Sequence, residues 1–194
     1  MRTPTVLIGT LIIGIWVFCA LFPGNVCHYD PIFDNQLPTS QAPSWDYYFG
    51  TDTNGRDVFS RVLAGSRNIL LIAPAATLLG TVLGTIIGLV TGYYRGVVDD
   101  VTSRLVDAVL SLPLIVTAIL IVTAVGNSSR WVVVVIIGLI FAPVVSRTVR
   151  AAVLSETELD YVQAARLRGE RSHYIMFSEI LPNVLSPVVV ELEV

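Results

Sequence analysis

Long apolar runs separated by short charged segments are the dominant pattern of this sequence. The first run contains no charged residue between positions 3 and 29, and its apolar core covers residues 6–22. Later apolar runs predict further spans at residues 68–94, 108–129, 131–146 and 181–194. A helix needs about 20 apolar residues to cross a hydrocarbon core of ~30 Å. The pattern therefore predicts about five transmembrane helices.

Composition narrows the class of protein. Hydrophobic residues make up 54% of the chain and charged residues 14%, whereas soluble domains carry about 25% charged residues. These proportions exclude a disordered chain and an ordinary soluble enzyme, and they predict an all-α, polytopic membrane helix bundle. A net charge of -3 gives no electrostatic signature for nucleic acid. With two Cys and two His, a multi-ligand zinc site is not expected, and we predict neither a metal nor a cofactor.

The N-terminal run has two interpretations, a retained transmembrane helix and a cleaved signal peptide. Arg2 alone is a weak positively charged n-region, and no Ala-x-Ala cleavage site follows the apolar core. We therefore predict a retained first helix at residues 1–22. An extracytoplasmic loop with a short amphipathic helix follows at 23–67, and residues 68–194 form the core of the bundle.

The distribution of arginine predicts the orientation in the membrane. With the N-terminus in the cytoplasm, the cytoplasmic segments hold eight arginines and the outer segments hold four. An excess of positive charge on the cytoplasmic side is the usual arrangement. We therefore predict a multi-pass protein of the cytoplasmic membrane with a cytoplasmic N-terminus, and this orientation makes the loop at 147–180 cytoplasmic.

Glycine recurs every four residues in the second predicted span, at Gly80, Gly84, Gly88 and Gly92. This spacing places the four glycines along one face of a helix, where another helix can approach backbone to backbone. Two interpretations remain open: close packing within one bundle, and a surface that slides or lines a pore.

The predicted spans offer little chemistry. None of them carries Asp, Glu, Lys or His at mid-depth, which argues against an ion-coupled carrier and against an intramembrane enzyme. The GxxxxGK[ST] phosphate loop is also absent, so the chain is not expected to bind ATP. Any energy for transport would then come from another subunit.

The loop at 147–180 carries the most informative polar segment. Ser155 and Glu158 have the spacing of a capping box. Gly169 occupies the position after a helix, where a left-handed backbone is needed. Residues 156–168 are therefore predicted to form a short polar helix that is closed by a tight turn.

The same loop shows an apolar edge and a second helix start. Leu159, Val162 and Ala165 would form a small apolar edge on the polar helix, suited to docking in a groove of a partner. A second helix is predicted to start near Arg171 or Ser172 and to lead into the last span.

Two stretches of this loop resemble the EAA loop of permease subunits of ABC importers. They are Gln163-Ala164-Ala165 and Ile180-Leu181-Pro182-Asn183, with Gly169 between them. In that family the loop forms a coupling helix that sits in a cleft of the cytoplasmic ATPase. The resemblance implies that the ATPase-coupling residues are Glu158, Tyr161, Gln163, Ala164, Ala165, Arg168 and Gly169.

An outer motif extends the resemblance. Residues 49–61 are similar to the G-T-D-x-x-G-R-D stretch of the second, or C, permease in the dipeptide, oligopeptide and nickel branch. Residues 92–96, 99–107 and 112–113 continue that similarity. The outer motif consists of Gly50, Thr51, Asp52, Gly55, Arg56 and Asp57.

The outer motif has two interpretations. In the structural one, a turn leads into a short helix that ends near Gly65, and Asp57 pairs with Arg61 four residues further on. In the functional one, the motif contacts a binding protein or the substrate. Asp100 and Arg104 share the same spacing, which predicts either a structural clasp at the cytoplasmic face or a role in gating.

The resemblance implies a transmembrane permease subunit of an ATP-driven importer for dipeptides, oligopeptides or nickel. The implied partners are a second homologous permease subunit, one or two cytoplasmic ATPase subunits, an extracytoplasmic solute-binding protein and the lipid bilayer. ATP hydrolysis would belong to the ATPase, so this chain is not expected to be an enzyme.

Two features depart from the family pattern. Gln163 replaces the family's Glu and keeps its size but loses its charge. Family permeases continue through a sixth helix, whereas this sequence stops in the fifth, where Glu191 and Glu193 interrupt an apolar run. A fragment, a truncated product and a frameshifted end remain open as explanations. The alternative function is therefore a transport-inactive membrane remnant or scaffold of the same fold.

Overall fold

The computed structural model describes residues 4–27, 29–30, 37–126 and 129–192. Within these ranges the regular elements are helices, and an isolated antiparallel bridge joins Thr51 to Asp57. The prediction of an all-α protein is confirmed. The elements in chain order are α1 (Pro4–Leu21), α2 (Pro23–Val26), α3 (Val58–Tyr94), α4 (Gly96–Leu110), α5 (Leu114–Val125), α6 (Arg130–Glu156), α7 (Asp160–Leu167), α8 (Ser172–Tyr174), a π-helix (Ile175–Ile180) and α9 (Leu181–Leu192).

The chain divides into two compact units, residues 1–72 and 73–194. The first unit contains α1, α2, the segment that leads into α3 and the first part of α3 as far as Ile72. Large apolar side chains such as Leu7, Leu11 and Ile13 are exposed around α1, as expected of a helix that faces lipid.

Several helices of the described chain are suited to a membrane. α3 and α6 are each long and apolar enough to cross a bilayer. The pair α4 and α5 passes the same test as one bent unit, which raises the number to three. The apolar stretch of α1, Val6–Leu21, is shorter. The division into five spans stays a prediction.

Helix α3 is longer than the sequence predicts. The short helix that was expected to end near Gly65 and the span at 68–94 form one continuous helix. Gly65 costs a helix only about 1 kcal/mol relative to alanine, and Arg67 is a good helix former. Neither residue ends the helix, so the prediction of two separate helices is wrong.

The span predicted at residues 108–129 is not one continuous helix in the structure. α4 ends at Leu110, α5 begins at Leu114, and their axes are bent by 85°. Pro113 explains the break, because proline lacks an N–H group and disfavours the α conformation at the residue before it. In the structure Pro113 is the N-cap of α5, with extended backbone angles.

The core of the second unit is centred on α6. Val145, Val149 and Val153 are fully buried, and their four-residue spacing places them on one face of the helix. This face belongs to a cluster that also includes Leu89 of α3, Val162 and Ala165 of α7, Ile175 and Ile180 of the π-helix, and Val184 and Val188 of α9. The loop after α6 is therefore part of the same core as the long helices.

Candidate functional site in the loop after α6

The glycines of α3 lie directly against the backbone of α6. A Cβ atom at Gly84 would lie 2.6 Å from the carbonyl oxygen of Ala142 and 2.6 Å from the Cβ of Val145. A Cβ atom at Gly88 would lie 2.8 Å from the carbonyl oxygen of Ser146. These separations are too short for any real side chain, so the helices can approach this closely only with glycine at both positions.

The contact between α3 and α6 extends along several turns. Cβ atoms at Gly80 and Gly92 would lie 3.0 Å and 3.1 Å from carbonyl oxygens of α6. α6 also contributes Gly138, where a Cβ would lie 3.1 Å from the carbonyl oxygen of Ala76. Gly138 is a packing residue that the sequence interpretation missed, because a single glycine in an apolar run gives no periodic signal.

Helix α7 starts later than the sequence predicts. Its first residue is Asp160, and Leu159 is an N-cap without a side-chain hydrogen bond. The predicted capping box is wrong, because Ser155 lies in the last turn of α6 and its hydroxyl donates to the carbonyl oxygen of Ala152. α6 continues to Glu156, so the polar segment begins as the end of a long helix.

The end of α7 agrees with the sequence interpretation. Gly169 has φ +75°, a left-handed conformation that L-residues adopt only with strain. The N–H of Gly169 donates to the carbonyl of Arg166, and the N–H of Glu170 donates to the carbonyl of Ala165. This pair of bonds is a Schellman motif, which fixes the turn between α7 and α8.

The predicted apolar docking edge is wrong for two of its three residues. Val162 and Ala165 are fully buried in the core of the chain itself, whereas Leu159 is about half exposed. The opposite side of α7 carries Ala164 and Leu167, both exposed. An amphipathic helix as short as α7 buries a single face. In this chain that face packs into the hydrophobic core and is not free to bind a partner.

Gln163 forms a contact that a glutamate would not make. Its side-chain amide nitrogen donates to the carbonyl oxygen of Thr157 at 2.9 Å. An ionised glutamate has only acceptor oxygens and would face that carbonyl without a proton between them. The departure from the EAA pattern at this position is therefore accommodated by a hydrogen bond that closes the turn between α6 and α7.

The end of α3 is bound to the start of the loop through Arg95. Its guanidinium donates to the carbonyl oxygen of Leu154 at 3.3 Å, to the hydroxyl of Thr157 at 2.9 Å and to the carboxylate of Glu158. The guanidinium of Arg166 lies 5.0 Å from the ring centroid of Tyr93, within the distance of a cation–π contact. The turn before α7 is thus bound to Arg95, directly after α3, and the last turn of α7 contacts Tyr93 of α3.

The other side of the loop is bound to the π-helix and α9. The guanidinium of Arg168 lies 3.1 Å from the carboxylate of Glu170 and 3.6 Å from that of Glu179. The hydroxyl of Tyr161 contacts the side chains of Glu156 and Asn183. Burial, together with donation to the carboxylate of Glu156, raises the pKa of the Tyr161 phenol.

Two ion pairs join α4 to α6 close to the glycine contact. Asp99 accepts two hydrogen bonds from the guanidinium of Arg150 and one from the hydroxyl of Ser103. Asp107 pairs with Arg147. Together with residues of α3, this region lines a cavity of about 300 Å³.

The predicted partners in α4 are corrected by these pairs. Among the described residues, Asp100 forms no ion pair with Arg104. Of the adjacent acids Asp99 and Asp100, Asp99 is the buried one and faces α6. A partner 51 positions away in sequence gives no local signal, so the residue spacing within α4 was misleading.

The outer motif forms a turn in the first unit. The carboxylate of Asp52 accepts hydrogen bonds from the N–H groups of Asn54 at 2.8 Å and Arg56 at 2.9 Å. Desolvation raises the pKa of Asp52. The two backbone donors lower it by a larger amount, so the pKa of this carboxyl lies below its usual value. Gly55 lies within the same turn, with its N–H bonded to the carbonyl of Asp52.

The neighbouring motif residues anchor the turn to the segment before it. The hydroxyl of Thr51 accepts from the N–H of Gln41 at 2.9 Å and donates to the carbonyl of Pro38. Gly50 has φ +74°, and a Cβ atom there would clash with the carbonyl oxygen of Gln41. Gly50 and Thr51 are therefore placed by close backbone packing.

Asp57 starts α3. Its carboxylate accepts a hydrogen bond from the N–H of Ser60 at 2.8 Å, as an N-cap residue does. Within the described part of the chain it forms no ion pair with Arg61, so the predicted i,i+4 pair is wrong. The cap satisfies a backbone donor at the start of the helix, which an exposed ion pair does not do.

The described helices define a class of protein before any comparison with relatives. Long apolar helices pack through glycine, and a polar helix is built into the core at their ends. These features are typical of a multi-pass membrane protein with a structured loop on one side.

Comparison with known proteins identifies the family. Residues 84–194 match the sequence model of a protein family, the binding-protein-dependent transport system inner membrane component. The chain belongs to this family, and it is therefore a membrane protein of a transport system. The resemblance to permease subunits of ABC importers in the dipeptide and oligopeptide branch is confirmed.

Three relatives illustrate the similarity. A putative peptide permease protein of Brucella abortus is 33% identical over 162 residues, which cover 84% of this chain and 53% of the relative. The di/tripeptide transport system permease protein DppC of Pseudomonas aeruginosa is 34% identical, covering 94% and 62%. The oligopeptide transport system permease protein OppC of Bacillus subtilis is 30% identical, covering 95% and 60%. The chain thus spans between about half and two thirds of the length of these relatives.

Proposed function

We propose that this chain is a transmembrane permease subunit of an ATP-driven importer that carries dipeptides or oligopeptides across the cytoplasmic membrane. The names of the three relatives refer to peptides, di- and tripeptides, and oligopeptides, which favours peptides over nickel. The proposal includes a cytoplasmic N-terminus, as the arginine distribution predicts.

The observation that carries this proposal is the attachment of α7 on both of its sides. Arg95 binds the loop to the end of α3, and Tyr161 and Arg168 bind it to the π-helix and α9. Its inner face is buried in the same core as α6. A force applied to the exposed face of α7 would therefore move several helices together, as a coupling helix must.

The proposed partners follow from this arrangement. A cytoplasmic ATPase would dock on the exposed side of α7, around Glu158, Ala164 and Leu167, and would hydrolyse the ATP. Arg168 and Gly169 would hold the shape of the loop, because Gly169 closes its turn and Arg168 pairs with Glu170. A second permease subunit would complete the pathway, and a solute-binding protein would deliver peptide from outside.

The glycine contact and the outer motif receive structural roles in this proposal. The glycines of α3 pack against α6 at four positions, so this pair of helices would rock as a unit instead of sliding. The outer motif would hold the turn that starts α3, since its side chains bond to nearby backbone groups.

A crosslinking experiment tests the docking face. In the assembled importer, a thiol introduced by Ala164→Cys is labelled with a benzophenone maleimide and illuminated. We expect a crosslink to the ATPase, because Ala164 lies on the exposed side of α7. Ala165→Cys is the matched control, since the neighbouring side chain is buried and should give little crosslink. Equal yields from the two positions, or no crosslink from either, would contradict the proposed face.

A further inference from the structure

A chain of hydrogen bonds crosses from α9 to α6 through one tyrosine. The side-chain amide of Asn183 donates to the phenol oxygen of Tyr161 at 3.0 Å. The phenol hydroxyl donates in turn to the carboxylate of Glu156 at 2.5 Å. Glu156 is the last residue of α6, and Asn183 is the third residue of α9. Tyr161 is thus the point at which three elements are joined.

The Tyr161 hydroxyl acts as acceptor and donor at once. Its pKa is raised by burial and by the neighbouring carboxylate, so the phenol stays protonated and continues to donate at neutral pH. Hydrogen bonds in such a chain polarise and strengthen one another. Phenylalanine would keep the ring in place but would break both bonds.

The same asparagine fixes the end of the π-helix. Its amide also donates to the carbonyl oxygen of Glu179 at 2.9 Å, near the last residue of that helix, Ile180. A π-helix departs from the regular α-helical pairing and often occurs at functional sites. Asn183 therefore ties the joint between α8 and α9 to the side chain of Tyr161.

Apolar packing alone connects α7 to the joint between α8 and α9 less rigidly than the hydrogen bonds of Tyr161 do. Val162 and Ala165 hold the inner face of α7 through apolar contacts, which have no preferred direction. The hydrogen bonds of Tyr161 are directional and join the ends of α6 and α9. Removing them would leave the fold in place and loosen the transmission between the helices.

We propose that Tyr161 is a positioning residue of the coupling loop, whose hydroxyl transmits the displacement of α7 into α9 and α6. This inference rests on the proposed function and deepens it. It assigns Tyr161 an internal contact, with Asn183 and Glu156, in place of contact with the ATPase.

The test compares variants in the assembled importer, reconstituted in proteoliposomes with its ATPase, second permease and binding protein. Tyr161→Phe should lower the amount of peptide imported per ATP hydrolysed by about fivefold to tenfold, the order of effect expected from losing hydrogen bonds of roughly 1 kcal/mol. Tyr174→Phe is the matched control, because this tyrosine is 44% exposed and should couple as the unsubstituted chain does.

A second pair of variants separates coupling from folding. Glu156→Gln keeps an acceptor oxygen and should retain most of the coupling, whereas Glu156→Leu should resemble Tyr161→Phe. Combining Tyr161→Phe with Glu156→Leu should add little to the loss, because both substitutions remove the same hydrogen bond between Tyr161 and Glu156. Equal coupling in Tyr161→Phe and Tyr174→Phe, or failure of Tyr161→Phe to assemble, would overturn the inference. Failure of the unsubstituted importer to move peptide would instead overturn the proposed function.

Discussion

Replacing Arg150 with methionine is expected to destabilise the chain by about 3 kcal/mol. The substitution leaves Asp99 with its carboxylate buried and without its cationic partner, since only 11% of that side chain is exposed. Breaking a buried pair from one side costs more than the pair contributes, because the remaining charge has lost its hydration. The Arg150 side chain is itself 34% exposed, which places the effect at the lower end of the usual range. The measurement is the midpoint of unfolding in detergent.

The neighbouring ion pair provides the control for this prediction. Arg147→Met breaks the pair with Asp107, whose members are both 61% exposed, and should cost less than about 1 kcal/mol. The double substitution Asp99→Asn with Arg150→Met should recover much of the lost stability, because it removes the buried charge. Similar losses for Arg150→Met and Arg147→Met would show that burial of Asp99 is not the cause.

Replacing Gly84 with alanine is expected to destabilise the contact between α3 and α6 by about 1–3 kcal/mol. The added methyl group would lie 2.6 Å from the carbonyl oxygen of Ala142. Backbone atoms cannot rotate away as a flexible side chain can, so the two helices would have to separate. The separation would reduce the van der Waals contact that holds membrane helices together. The loss should appear as a lower unfolding midpoint.

The same substitution at Gly65 should have the opposite sign. Gly65 lies in α3 as well, but nothing is within 4 Å of the position of its missing Cβ. Alanine there gains about 1 kcal/mol of helix propensity without a clash. A stabilising effect at Gly84, or a loss at Gly65 as large as that at Gly84, would contradict the close approach of the two helices.

Local signals in the sequence were sufficient to predict features that depend on the geometry of a single helix. The four-residue spacing of glycine identifies the face of α3 that meets α6, because helix geometry alone sets which residues share a face. Gly169 marks the end of α7, since a left-handed backbone strongly favours glycine. Pro113 marks the break between α4 and α5, since proline disfavours the α conformation at the residue before it.

Predictions from the sequence were wrong where contacts with distant elements determine which of two similar local structures forms. Ser155 and Glu158 fit the start of a helix, but the stable continuation of α6 through Glu156 leaves Ser155 in its last turn. Asp99 and Asp100 are neighbours, and only the approach of Arg150 from α6 selects Asp99. The inner face of α7 resembles a docking edge until α6 and the π-helix cover it.

The most direct test of the proposed function is ATP-driven uptake of a labelled dipeptide or oligopeptide into proteoliposomes. The vesicles contain this chain with its second permease and ATPase, and the binding protein is added from the side that corresponds to the outside. We expect uptake that requires ATP and the binding protein and that is lost from vesicles without this chain. Assembly of the complex without uptake above that of vesicles lacking the chain would contradict the proposal and would favour a transport-inactive scaffold.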